Sequence, residues 1–190
     1  ALQLIEDFLK KYDGQDYVPE YNFDIIADLK AVKTTYKNQV IRDLDLSVDF
    51  MNNVLSVQNL SAQLPFDGIA KAKGELYAVE KVMTYNFDIE ASSPDFAKTV
   101  NWLGYNLQPL SKNIYKRSSA KFTLAGTLQT IKMAPFILNV DKTGLNGKLA
   151  MVRGKENKYF IIAEADNINF DNYIENMPED IASADFSDKV

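Results

Sequence analysis

Strict alternation of apolar and polar residues constrains this chain more than any other feature. From residue 43 to 50, Asp43, Asp45, Ser47 and Asp49 alternate with Leu44, Leu46, Val48 and Phe50. Successive side chains of a strand point to opposite faces, so this run is a ribbon with one wet face and one apolar face. The pattern recurs. Tyr21, Phe23, Ile25, Ala27, Leu29 and Ala31 share one face against Asn22, Asp24, Asp28 and Lys30, with Ile26 as the exception. Met83, Tyr85, Phe87, Ile89 and Ala91 form a second such set, and Ala120, Phe122, Leu124, Gly126 and Leu128 a third. Phe136, Leu138 and Val140 follow, then Leu145, Gly147, Leu149 and Met151. Period 2 at this frequency predicts a mainly β fold, an antiparallel meander of about nine or ten strands.

Turn signals separate the runs. Asn52-Asn53 suits a tight hairpin because Asn tolerates positive φ. Asp67-Gly68, Lys142-Thr143-Gly144 and Arg153-Gly154-Lys155 mark further turns. Apolar parity shifts between Val57 and Leu60, which predicts a bulge. Two short amphipathic helices are expected, near 1–13 and 94–105. In the second, Ser93 is the expected N-cap, Pro94 the first helical residue, and Phe96, Val100 and Leu103 the apolar stripe, with Gly104 at the C-terminal end. Helix, loop and strand at 1–31 echo those at 94–128, as in an array of similar units. Residues 1–177 read as one segment and 178–190 as a polar tail. The opening "ALQLIEDFLKK" has no basic n-region or long apolar run, and reads as an excised piece or a mature chain.

Composition narrows the chemistry. The 190 residues carry a net charge of -5 with scattered lysines and no basic tract, so a nucleic-acid partner is not expected. Cysteine and histidine are absent, which removes thiolate chemistry, the commonest general base and the commonest zinc ligand. No run approaches the ~20 apolar residues of a membrane-spanning helix. Asp43, Asp45 and Asp49 lie at even spacing on one strand face. They could bind Ca²⁺ or do acid-base work, but the solvated side of an amphipathic strand explains them without chemistry. "DNINFDNYIENMPE" starts like a calcium loop, yet Asn172 stands in place of its glycine and Pro178 in place of its closing glutamate. The triplet at Asn59 is a formal glycosylation sequon inside a strand-like run. No catalytic motif is present and no cofactor is expected.

The strand phrases resemble the AsmA family of bacterial envelope proteins. The carriers are an A-x-L strand at Ala27 to Leu29, a link with Tyr36, and an R-D-L-x-L strand at Arg42 to Leu46. A V-L-x-V-x-x-L-S-A-x-L strand at Val54 to Leu64 and I-A-x-A-x-G at Ile69 to Gly74 follow. Later, L-x-G-x-L at Leu145 to Leu149 and the stretch "EADNINFDNYI" are also similar. The likeness spans roughly residues 20 to 175. The Asn-Asn turn departs from the glycine-containing turn usual there. The resemblance implies a curved sheet forming a groove or half-open sandwich. It further implies a periplasmic location, with a tether to the inner membrane outside this chain. Partners would be neighbouring segments of the same longer chain and phospholipid or another acyl lipid, moved between the two membranes. Candidate groove-lining residues are Phe23, Ile25, Leu29, Leu44, Leu46, Val48, Phe50, Tyr85, Phe87, Ile89, Phe122, Leu124, Phe136, Leu138 and Val140. Alternation is equally compatible with a closed sandwich core, in which case the chain is a structural or protein-interaction module. A carboxylate-based enzyme would need two converging carboxylates, and none falls on the apolar side.

Overall fold

The computed structural model describes residues 22–80, 82–107 and 115–167. Nine strands form one sheet whose spatial order is their sequence order. They are β1 (Ile25–Tyr36), β2 (Gln39–Met51), β3 (Val54–Leu64), β4 (Gly68–Val79), β5 (Val82–Ser93), β6 (Ser118–Thr127), β7 (Thr130–Val140), β8 (Thr143–Val152) and β9 (Lys158–Ala165). Every pairing is antiparallel. The fold is thus mainly β, an open, curved meander. One helix is found among the described residues, α1 (Phe96–Leu103), between β5 and β6. The helix expected near 1–13 and the tail at 178–190 lie outside the described residues.

The hairpins follow from residues that accept a left-handed backbone. Asn52 and Asn53 have φ of 52° and 61°, so the Asn-Asn turn is of the I′ kind that matches the strand twist. Lys37 and Asn38 repeat that geometry at 47° and 60°, at a joint the sequence pattern does not announce. Two expected turns sit slightly upstream of their predicted residues. A single 3-10 turn, Pro65–Asp67, precedes Gly68, which already opens β4. Asp141, with φ of 54°, turns the chain before Thr143, and Thr143 and Gly144 belong to β8. The Asp141 carboxylate also accepts hydrogen bonds from the backbone N–H groups of Tyr115, Lys116 and Arg117 at 2.7 to 3.0 Å, steering the chain into β6.

The expected bulge is present, with the β3–β4 register breaking between Val57 and Leu60. A second break was not foreseen. Asp43 adopts φ of 48° and the β2–β3 register shifts between Arg42 and Asp45. Asp43 therefore does not continue the row of Asp45 and Asp49. Pro135, which has no N–H to give the ladder, lies where the β7–β8 register breaks between Met133 and Phe136.

Three glycines let neighbouring strands approach. A Cβ at Gly74 would strike the Asn86 carbonyl oxygen, one at Gly126 the Thr130 carbonyl oxygen, and one at Gly147 the Ile162 carbonyl oxygen. Each glycine is opposite an aromatic residue in the register: Gly74 with Phe87, Gly126 with Tyr85 and Gly147 with Phe136. The ring fills the space the missing side chain leaves. Gly147→Ala is expected to lower stability by about 1–3 kcal/mol through overpacking. Gly154→Ala, where the nearest atom to a new Cβ is 3.4 Å away, should change it by less than about 0.5 kcal/mol. Thermal denaturation followed by circular dichroism compares the two.

Candidate functional site

The register converts the alternation into a surface. One row runs across all nine strands: Leu29, Leu46, Leu60, Ala72, Ile89, Phe122, Phe136, Gly147 and Ala163. A second row carries Val48, Val57, Phe87, Leu124 and Leu149, and a third Ile25, Phe50, Leu76, Tyr85 and Met151. A fourth is mostly alanine, Ala62, Ala70, Ala91 and Ala120, and ends in Leu138 and Leu145. Leu44 pairs with Ala31 at its near end, and Val140 pairs with Ser118 one row further on. The Phe23 ring lies 5.5 Å from that of Phe50. All fifteen candidate lining residues thus belong to one side of the sheet. At ~4.8 Å per strand this apolar face is about 38 Å wide.

The opposite face is held by polar cross-strand pairs. Lys30 and Asp45 lie 3.4 Å apart, and Lys121 and Glu90 2.6 Å apart. Ser47 donates to Asp28, Thr123 to Asp88 at 2.8 Å, and Gln58 to Asp49 at 2.7 Å. The hydrogen bond from Lys121 holds the Glu90 carboxyl below its ordinary range, and Glu90 in turn raises Lys121. These aspartates are therefore occupied with neighbouring strands. Among the described residues no group of three His, Cys, Asp or Glu is placed to hold a metal ion.

Little covers the apolar face. Ala97 and Pro65 are the only buried apolar side chains among the described residues. Most apolar side chains of β2 to β8 are half-buried, shielded by one another. Helix α1 covers one end. Its Thr99 hydroxyl lies 2.7 Å from that of Ser93, and both residues are buried. Its far end reaches the β1–β2 hairpin. There the Trp102 Nε1 donates to the Tyr36 carbonyl at 3.3 Å, the two rings meet edge-on at 5.9 Å, and Lys37 Nζ donates to the Leu103 carbonyl at 2.7 Å. A hollow beside α1 is lined by Lys37, Gln39, Phe66, Lys98, Asn101 and Trp102. Both of its cations are engaged, Lys37 as above and Lys98 with Asp95 at 2.9 Å.

The helix differs in detail from the sequence expectation. Asp95, not Ser93, is the N-cap, and its carboxylate accepts from the Lys98 N–H at 3.1 Å. Pro94 consequently precedes the cap and is not the first helical residue. Ser93 instead accepts from the Asp95 N–H at 3.1 Å and faces Thr99. The inward side is Ala97 and Thr99, while Leu103 of the expected stripe is 47% exposed. Gly104 ends the helix in the left-handed region, as expected.

Among the described residues Tyr85 is the one hydroxyl on the apolar face with a shifted ionisation. Partial burial raises it, and its O–H donates to the Thr130 carbonyl at 3.2 Å. No helix among the described residues is long and apolar enough to cross a membrane. No protein-family model matches the chain, and neither curated proteins nor solved structures supply a match. The likeness to the AsmA family rests on the strand phrases alone.

The cap gives a pH prediction. The hydrogen bond from Lys98 lowers the Asp95 pKa below its unfolded value. Its stabilising contribution is then present at neutral pH and is lost as pH falls through the folded value. Asp95→Ala should cost about 1 kcal/mol at neutral pH. Asp95→Asn should keep most of the cap but lose its share of the acid sensitivity. Thermal unfolding of the wild type and both variants at neutral and acid pH checks this.

Proposed function

We propose that the chain is a non-enzymatic, lipid-shielding segment of a bacterial envelope protein of AsmA-like type. The observation that supports this is the apolar face, continuous across nine strands and, among the described residues, covered only at one end by α1. An acyl chain leaving water gains about 0.8 kcal/mol per buried CH₂, and a one-sided apolar sheet offers that without any reactive group. Contiguous exposed apolar patches beyond a few hundred Å² mark interaction surfaces. On this reading the face takes the acyl chains of phospholipid on their way between inner and outer membrane, in support of outer-membrane biogenesis. The segment sits in the periplasm, continuous with neighbouring segments of its longer chain, and an anchor outside these residues tethers it to the inner membrane. The competing reading, a structural module whose apolar face only makes its own core, requires a second layer. Among the described residues α1 and the Pro65–Asp67 turn stand at one end of that face, and neither is a second layer.

Gentle purification from bacteria, native mass spectrometry and lipid extraction test the proposal. Phospholipid should accompany the wild type and be lost from Leu46→Asp and Phe87→Asp variants that keep their β-sheet circular dichroism. A stable wild type without lipid, unable to take it up from vesicles, would refute it.

A further inference from the structure

We infer that β9, the last strand of the sheet among the described residues, is an edge that pairs with the β9 of a second copy of this chain. The strand is apolar on both faces. Tyr159 and Ile161 pair with Met151 and Leu149 on the apolar face, whereas Phe160 and Ile162 pair with Ala150 and Lys148 on the other. These four side chains are 61, 63, 60 and 75% exposed in that order. Edge strands are ordinarily protected by charge, proline or a bulge, because their free N–H and C=O groups template further pairing. The opposite edge, β1, carries Asp28, Lys30 and Lys33 along its length. By contrast β9 has no proline, no register break with β8, and charges only at Lys158 and Glu164 near its two ends.

Those two charges select the occupant. Antiparallel pairing of β9 with its own copy, centred on Ile161, sets Lys158 against Glu164, Tyr159 against Ala163 and Phe160 against Ile162. Each partner differs from its mate by an even number of residues, so apolar-face residues meet apolar-face residues. The Lys158–Glu164 pair forms twice, once at each end. Centring on Ile162 instead would set Phe160 against Glu164. The required operator is a two-fold axis perpendicular to the sheet, which makes the contact isologous and closed. It also leaves both apolar faces on the same side, as one doubled surface. This inference goes beyond the lipid reading and stands without it.

Sedimentation velocity of the full 190-residue chain over a range of concentrations tests it. Within one chain Lys158 is opposite Val152 and Glu164 opposite Asn146, with Lys148 on the diagonal, so neither reversal sets like charges directly opposite each other in the β8–β9 ladder. The wild type should dimerise reversibly. Lys158→Glu or Glu164→Lys should each raise the dimer Kd roughly tenfold or more, because two attractive cross-strand pairs become repulsive. The double reversal should restore it, and Ile162→Gln, which sets no second charge against Lys148 within the chain, should weaken it again, with circular dichroism unchanged throughout. A wild type that stays monomeric overturns the inference. So does a dimer indifferent to single reversals, or one not restored by the double reversal. A dimer lost with Phe87→Asp but not with the β9 changes would place the contact on the apolar face and overturn it equally.

Discussion

A single sheet has two faces, and here one of them is apolar without a second layer among the described residues. Everything else in the structure depends on that imbalance. Apolar area left in water forgoes roughly 25 cal/mol per Å², so a sheet of this width can hold its shape only through its ladder and the lateral packing of its own side chains. The half-buried state of most apolar side chains in β2 to β8 is what lateral packing alone supplies. Such a surface is a poor core and a good host for something apolar.

The local devices all serve that surface. Gly74, Gly126 and Gly147 sit in its rows, where aromatic rings from the next strand lie over bare backbone. From residue 68 to 74 the apolar side of β4 holds only Gly68, Ala70, Ala72 and Gly74, beside the larger Phe87 and Ile89 of β5. The polar face does the opposite work. Its ion pairs and hydroxyl–carboxylate bonds fix which residue meets which, and a one-residue slip would turn every apolar side chain to the wet side. At the covered end, Trp102 ties α1 to the first hairpin.

The sheet and its apolar side were legible in the sequence because side-chain direction in a strand follows parity. The fifteen residues from Phe23 to Val140 needed only alternation to be grouped, and the Val57–Leu60 bulge showed as a parity shift. What escaped notice depends on backbone dihedrals that several residue types can adopt. Lys37-Asn38 turns without a glycine, and Asp43 bulges at the head of the alternating run. The N-cap is not legible because Ser and Asp both suit that role; Asp95 takes it, and Ser93 meets Thr99 instead. The double-sided exposure of β9 was hidden for another reason. "YFIIA" has no alternation, and only its place at the edge of the described sheet shows that its side chains are exposed on both faces.

The central claim is that one face of the sheet, and only that face, meets acyl chains. A photo-crosslinking residue placed at Phe87 or Leu124 on the apolar face, and at Asp88 or Thr123 on the other, asks this directly in living bacteria. Phospholipid adducts at the first two positions and none at the second two are the predicted result. Adducts at neither pair, or equally at both, would contradict the account.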